Sequence, residues 1–254
     1  PGAAPRARPG RPAPDGQPAC RRETINDCRA ECPGTHRASA NAPTILAMEN
    51  LLALAGGAPA AALLLAAMVI ASLLALYKAP ALLERHLFRP YWFWPRRQYA
   101  TLVTNAFLHA DLPHLLFNAF TFWAFAFALE RQIGTPRFIA LYAFGLLVSS
   151  AGTWLMHRRE PGYQTLGASG AILAVLFAAI VYTPSQSIFI LPIPLPIPAP
   201  LFAVAYLAYS VWAARQTRGR INHDAHLGGA VAGVLFVVLT DAQAIGRAWQ
   251  QVLG

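Results

Sequence analysis

Ser169 is the residue of this chain best placed to act as a nucleophile. It lies in the stretch Gly167-Ala168-Ser169-Gly170-Ala171, between a polar loop and an apolar run from Ile172 to Val181. Small neighbours leave a serine hydroxyl unshielded and let another backbone come close. A serine becomes a nucleophile when a base lies within about 2.6–3.2 Å of it. An isolated motif of this kind is also typical of ordinary helix packing, so the rest of the chain must decide.

Several polar residues could serve such a serine. His114 and Asn118 are four residues apart, so on a helix they would share one face and both offer hydrogen-bond donors. Fixed donors stabilise the negative charge that develops during acyl transfer. His226 opens a later apolar run and could act as the base. We expect His109 to make an ordinary hydrogen bond between helices and His223 to be a solvated loop residue.

The composition indicates an integral membrane protein. The chain is 56% hydrophobic and 12% charged, whereas an ordinary soluble domain has about 25% charged residues. Its 20 Lys and Arg outnumber 11 Asp and Glu, for a net charge of +9, and such an excess normally lies near lipid headgroups. No basic helix is interleaved with aromatics, so no nucleic-acid partner is expected. The three cysteines lack the spacing of a zinc site or a disulfide framework, so no metal is expected.

Six apolar runs approach the length of about 20 residues that a bilayer core requires. They are Ala60–Tyr77, Leu112–Leu129, Phe138–Met156, Ala168–Tyr182, Leu201–Ala214 and His226–Leu239. The expected fold class is therefore an all-α integral membrane protein with six transmembrane helices. Aromatics mixed with arginines in the long first loop, 78–111, are typical of the membrane interface. Alternating prolines in 184–200 predict an extended apolar connection against the membrane.

The sequence divides into three regions. Residues 1–47 are rich in Pro, Ala, Gly and Arg, a composition that cannot bury a core, so we expect them to be a disordered basic leader. Residues 48–240 are the expected membrane domain, and 241–254 form a short C-terminal tail. Because the first methionine is Met48, we hypothesise that the natural chain begins there and that the leader is an upstream extension.

The direction of the chain places the polar residues at one depth. Spans two, four and six of a six-span protein are parallel, and His114, Ser169 and His226 each lie near the start of one of them. All three are therefore expected near one membrane face. Ionisable groups within spans are costly, which indicates function. Gly229 and Gly233, which follow His226, form a pair that permits close helix packing.

Taken together, these residues resemble the rhomboid family of intramembrane serine proteases over about residues 102–239. Four motifs, each weak alone, occur in the family's order: His109-xxxx-His114-xxx-Asn118, Glu130-Arg131-Gln132-Ile133-Gly134, Gly167-Ala168-Ser169-Gly170 and Ala225-His226-Leu227-Gly228-Gly229-xxx-Gly233. The resemblance implies a rhomboid-like bundle of six helices and a catalytic dyad of Ser169 and His226 without a carboxylate. It further implies an oxyanion site from the His114 and Asn118 side chains with the Ser169 backbone N–H. The supporting residues it implies are His109, Gly167, Gly170, Gly229 and Gly233, and it implies no cofactor.

The same resemblance sets the expected activity. It implies an endopeptidase whose partners are transmembrane protein substrates, cut near a membrane face of the lipid bilayer. We expect a multi-pass protein of the bacterial inner membrane with its active site opening to the non-cytoplasmic side. The positive-inside rule conflicts with this orientation. Counted from Met48, ten basic residues lie in the connections on the side of the active-site mouth and three on the other, and the leader makes the counts equal.

The chain departs from the family pattern at two places. Many members carry Trp-Arg in the first loop, where this chain has Ala100-Thr101, so the usual anchor of that loop is missing. Leu173 stands where an aromatic often packs on the catalytic histidine. We therefore expect activity to survive but His226 to be held less tightly.

Two other functions remain open. A rhomboid-like pseudoprotease would bind transmembrane clients without cleaving them, but the presence of both Ser169 and His226 argues against it. A small transporter or channel could use histidines within the membrane. It would carry paired charges or half-helix repeats in corresponding halves, and the sequence has neither.

Overall fold

The computed structural model describes Gly2 and residues 56–190, 193–215 and 222–253. The predicted disordered leader over 1–47 and the hypothesised start at Met48 lie outside these residues, Gly2 excepted. The main helices are α1 (Pro59–Tyr77), α2 (Ala81–His86), α3 (Thr101–Thr104), α4 (Leu112–Ile133), α5 (Thr135–His157), α6 (Ser169–Tyr182), α7 (Ala199–Ala214), α8 (His223–Thr240) and α9 (Ala242–Leu253), with a 3₁₀ helix at Asn105–Phe107. Two strands, β1 (Ser187–Ile190) and β2 (Ile193–Pro198), lie between α6 and α7.

Each of the six predicted apolar runs forms a helix. Four of these helices, α1, α4, α5 and α8, are long and apolar enough to cross a membrane, while α6 and α7 are shorter apolar helices. The described part of the chain is therefore mostly helical, as predicted, with four candidate membrane spans. The tail 241–254 contains the helix α9, which exposes Ile245, Trp249 and Val252 at helical spacing.

A buried carboxylate joins α4 to the start of α1. The second predicted apolar run ends at Leu129, but α4 continues to Ile133 and so includes Glu130. Glu130 is only 1% exposed, and its carboxylate accepts hydrogen bonds from the backbone N–H groups of Ala60 at 3.0 Å and Ala61 at 2.7 Å. The Thr135 hydroxyl donates to the same carboxylate at 2.7 Å. The first N–H groups of a helix lack partners within it and favour negative charge, so Glu130 caps α1.

The proline-rich connection is an antiparallel hairpin, so the predicted extended conformation is confirmed. Strands β1 and β2 pair from Ser187 with Pro198 to Ile190 with Ile193. Every second N–H of an edge strand faces away from its partner, so a strand with proline at every second position still keeps part of its hydrogen-bonded ladder. Phe189 and Leu195 are well exposed, which gives the hairpin an apolar surface.

Helix α6 is the centre of the membrane domain, and small residues let its neighbours approach closely. Eleven of its 14 residues are buried. A Cβ atom added at Gly229 would overlap the backbone of Gly170, and one at Gly233 would overlap the backbone of Ala174. The close packing that the sequence predicts for Gly229 and Gly233 is therefore confirmed. Helix α8, which carries both glycines, lies directly against the end of α6 that begins at Ser169.

The first loop is anchored although the Trp-Arg pair is missing. Phe88 forms an isolated antiparallel bridge with Thr165, and their backbone groups exchange two hydrogen bonds of 3.0 Å. The indole N–H of Trp92 donates to the carbonyl of Pro161 at 3.1 Å. All three bonds reach the connection that leads into Ser169. Residues other than Ala100-Thr101 thus hold the loop to the chain segment that precedes the serine.

Candidate active site

Ser169 is the first residue of α6, so the fold presents it at a helix N terminus. The preceding turn depends on Gly167, whose φ of +124° is a conformation that residues with a side chain rarely adopt. The N–H of Gly167 donates to the carbonyl of Asn105 at 3.0 Å, which ties the turn to the first loop. Backbone N–H groups at a helix start have no partner within the helix and attract negative charge. The Ser169 backbone N–H therefore lies where an oxyanion would be stabilised.

His114 lies against the turn that precedes Ser169. It belongs to the first turn of α4, where its backbone N–H donates to the Asp111 carboxylate at 2.8 Å. A Cβ atom added at Gly167 would lie 2.8 Å from Cε1 and 3.0 Å from Nε2 of His114. The imidazole edge thus occupies the space that glycine leaves free. Through this contact His114, a hydrogen-bond donor on α4, lies against a residue that is two positions before Ser169 in the chain.

His109 packs against the ring of His114 and is itself in contact with α1. The Ser72 hydroxyl lies 3.0 Å from the Phe107 carbonyl and 2.9 Å from His109 Nδ1. Because the hydroxyl has one hydrogen and donates it to the carbonyl, His109 Nδ1–H donates to Ser72. His109 thus makes a hydrogen bond to another segment, as predicted, but this bond joins the loop before α4 to α1 rather than two helices. The His109 and His114 rings meet edge to face, with centroids 4.9 Å apart.

Asn118 lies one turn after His114 on α4 and carries an unused donor. Its side chain is buried at 7% exposure. Its amide nitrogen Nδ2 has no hydrogen-bond partner within the described part of the chain. Buried amide groups are nearly always hydrogen-bonded in folded proteins. A buried amide without an acceptor is a group available to a ligand.

His226 is brought to the serine by the contact between α6 and α8. A Cβ atom at Gly170 would lie 3.1 Å from the carbonyl of Ala225, the residue before His226. Gly229, one turn after His226, lies against the Gly170 backbone. Residues three apart share a helix face, so His226 lies on the side of α8 that packs against Gly170, the residue after Ser169. Among the described residues, no hydrogen bond joins Ser169 to His226.

Comparison with known proteins identifies the family of this chain. A family model described as Rhomboid domain matches residues 96–242, which is more than half of the 254-residue chain. The chain belongs to the rhomboid family. With its apolar helices, this rhomboid protein is a multi-pass membrane protein.

Relatives of the rhomboid chain come from mitochondria and from bacteria. Rhomboid protein 1, mitochondrial, of Saccharomyces cerevisiae is 31% identical over 144 residues, which cover 54% of this chain and 40% of the yeast protein. Presenilin-associated rhomboid-like protein, mitochondrial, of Homo sapiens is 29% identical over 143 residues, covering 54% and 36%. YdcA of Bacillus subtilis is 40% identical over 74 residues, covering 29% and 36%. The chain thus spans about two fifths of the length of these curated relatives.

Tyr206 occupies a position beside His226 that the sequence does not reveal. Its hydroxyl lies 2.9 Å from His226 Nδ1, and the two rings are nearly parallel, with centroids 6.5 Å apart. Leu173 has no ring to offer His226, as the sequence indicates. A tyrosine from α7 supplies the ring. Nothing in the apolar run of α7 distinguishes this tyrosine from a lipid-facing one, so only the tertiary structure could find it.

His223 also differs from the prediction. It is the first residue of α8 rather than a solvated loop residue, and it is half-buried. Its ring meets the His226 ring edge to face at 5.8 Å and the Tyr209 ring at 5.6 Å. The helix begins earlier than the apolar pattern indicates because Asn222 caps it, accepting a hydrogen bond from the Ala225 N–H at 2.9 Å.

A small polar cavity lies beside Ser169. Its volume is about 20 Å³, which is enough for about one water molecule. The side chains and backbone that line it are largely polar or small, and include Asn105, Ser149, Ser150, Thr153, Thr165, Gly167, Ser169 and Asn222. The fold therefore leaves room for about one water molecule beside Ser169.

A second polar cluster fixes the start of α8. His157, the last residue of α5, lies 2.8 Å from the carboxylate of Asp224 and 3.1 Å from that of Glu160. Its ring stacks on Tyr163 at 3.6 Å. Burial, and then the nearby Asp224 and Glu160 carboxylates, raise the pKa of Tyr163, so its hydroxyl stays protonated. Asp224 is two residues before His226, so the cluster anchors the helix that carries this histidine.

Proposed function

We propose that this rhomboid protein is an intramembrane serine endopeptidase that cleaves transmembrane helices of other membrane proteins. One observation carries the proposal: the start of α6 touches His114 at Gly167 and touches α8 at Gly170, beside His226. These contacts support a site in which Ser169 is the nucleophile, His226 the base and His114 a hydrogen-bond donor. The Asn118 amide, which has no partner among the described residues, would be a second donor.

The proposed reaction begins with attack by Ser169. As its Oγ bonds to the carbonyl carbon of the scissile peptide, its proton passes to His226. The tetrahedral intermediate carries a negative oxygen, which would accept hydrogen bonds from His114, Asn118 and the Ser169 backbone N–H. When the carbon–nitrogen bond breaks, the His226 proton goes to the leaving amine and an ester with Ser169 remains.

Hydrolysis of that ester returns the protein to its starting state. A water molecule attacks the ester carbonyl while its proton passes to His226. The ester bond to Ser169 then breaks, and the serine oxygen takes the proton back, which releases the new carboxyl terminus of the substrate. The cavity beside Ser169 supports this step because its polar lining can hold a water molecule close to the ester.

The membrane arrangement remains part of the proposal. We propose that the two shorter helices α6 and α7 also cross the bilayer, giving six spans. The exposed Trp94 and Tyr99 of the first loop support a position at the membrane interface. The active site would open to the non-cytoplasmic side. The bacterial inner membrane stays a prediction, since the relatives include mitochondrial and bacterial proteins.

Cleavage in a reconstituted membrane tests the proposal. The purified protein is placed in liposomes with a fluorogenic peptide that contains one transmembrane helix interrupted by glycine, and the products are identified by mass spectrometry. We expect a single cut near one membrane face, which Ser169→Ala eliminates. A rhomboid-like pseudoprotease is the alternative. It would bind the peptide with no product, and that result would replace the proposed function.

A further inference from the structure

We propose that Tyr206 is a positioning residue for His226, taking the place that a carboxylate holds in a three-residue serine protease site. This inference rests on the proposed function, because it assigns a role within the same site. Tyr206 lies on α7 and His226 on α8, so the 2.9 Å contact between the tyrosine hydroxyl and Nδ1 joins two helices.

The bond decides which ring nitrogen can act as the base. A neutral imidazole carries one hydrogen, on either Nδ1 or Nε2. If Nδ1–H donates to the Tyr206 oxygen, Nε2 keeps its lone pair and can accept the Ser169 proton. The opposite tautomer would place an N–H toward the serine and could not accept a proton. Setting the tautomer through the second nitrogen is how a partner group makes a catalytic histidine competent.

The hydroxyl of Tyr206 is itself well placed to accept this hydrogen. A phenolic oxygen accepts as well as donates, so the Tyr206 oxygen can be the acceptor for Nδ1–H. The same bond persists after His226 takes up the Ser169 proton, because the imidazolium carries hydrogen on both nitrogens.

Aromatic packing holds the tyrosine in place. Its ring contacts Phe202 on its own helix, with centroids 5.6 Å apart, and Phe177 on α6, with centroids 5.9 Å apart. Phe177 lies one turn after Leu173, and both belong to the apolar cluster against which Tyr206 packs. An aromatic ring from another helix therefore stands in for an aromatic residue at position 173. This ring also carries a hydroxyl that reaches His226.

Two substitutions separate the hydroxyl from the ring. Tyr206→Phe keeps the ring and removes only the bond to Nδ1, whereas Tyr206→Leu removes both. Tyr209→Phe is the matched control, because Tyr209 lies on the same helix, is 51% exposed and contacts His223 rather than His226. A neutral hydrogen bond typically contributes about 1 kcal/mol, so we expect Tyr206→Phe to lower kcat roughly three- to tenfold. The KM and the thermal midpoint should stay unchanged.

The decisive readout is the tautomer of His226, which does not depend on activity. Protein labelled with ¹⁵N-histidine is compared by NMR with its His226→Asn variant to assign the signal. We expect hydrogen on Nδ1 in the wild type, a tautomer mixture in Tyr206→Phe and no change in Tyr209→Phe. An unchanged tautomer and kcat in Tyr206→Phe would overturn the proposal. If the wild type cleaves nothing but Tyr206→Phe still changes the tautomer of His226, the protease function is refuted and the positioning bond is supported.

Discussion

Asn118→Ala separates a catalytic role of this side chain from a structural one. The buried amide nitrogen of Asn118 has no acceptor among the described residues, so removing it breaks no hydrogen bond that the fold uses. If Asn118 donates to the oxyanion, the substitution should slow cleavage about 10²–10³-fold, which corresponds to ~2.7–4 kcal/mol in the transition state. Activity should not vanish, because His114 and the Ser169 backbone N–H remain.

The expected effect on stability follows from the same geometry. Leaving a buried donor unpaired costs about 1–3 kcal/mol, and alanine removes that cost while losing a small amount of packing. The free energy of unfolding should therefore change little. Asn105→Ala is the matched control: it is 5% exposed against 7% for Asn118, but its amide donates to the carbonyls of Thr101 and Leu102. Truncating Asn105 should lower stability by about 1–3 kcal/mol.

Two measurements on each variant distinguish a catalytic role of Asn118 from a structural one. Thermal unfolding in detergent gives the stability, and the rate of cleavage of a transmembrane peptide gives kcat. The oxyanion role requires a large fall in kcat for Asn118→Ala at an unchanged thermal midpoint. If Asn118→Ala instead unfolds earlier, like Asn105→Ala, and loses activity in proportion, the side chain is structural and the reasoning is refuted.

Two further predictions concern the scaffold that holds the site. Glu130→Gln should lower the free energy of unfolding by about 3 kcal/mol, because it weakens three hydrogen bonds to a buried carboxylate. The control is Glu84→Gln, which should change the free energy of unfolding little because the Glu84 side chain is 73% exposed. Equal thermal midpoints for the two variants would contradict the capping role of Glu130. Gly233→Ala should force α8 away from Ala174 and reduce both stability and cleavage. The control is Gly152→Ala on α5, which should match the wild type because the space around that Cβ position is open. A Gly233→Ala variant with wild-type stability and cleavage would mean that the close approach is not required.

The apolar helices are accessible from sequence because they depend on local pattern. Each of the six predicted apolar runs forms a helix, whereas the common depth of the motif residues stays a prediction that rests on six membrane spans. Helix ends were less predictable. Helix α4 continues past Glu130 to Ile133, and α8 starts at His223 because Asn222 caps it. That cap is a particular hydrogen bond, which hydropathy does not reveal.

Contacts between distant segments could not be inferred from the sequence. The first loop lacks the expected Trp-Arg pair, yet Trp92 and Phe88 anchor it through bonds to residues more than 60 positions away. Leu173 has no ring to offer His226. The ring that lies beside this histidine belongs to Tyr206 on another helix, and the sequence does not reveal that contact.

The most direct test of the central claim is labelling of the purified, detergent-solubilised protein with a fluorophosphonate probe, which reacts with activated serines. We predict that the wild type is labelled and that Ser169→Ala and His226→Ala both lose the label while keeping the wild-type thermal midpoint. Labelling that survives Ser169→Ala would show that another residue is the nucleophile. A folded wild type that takes no label would contradict an activated Ser169.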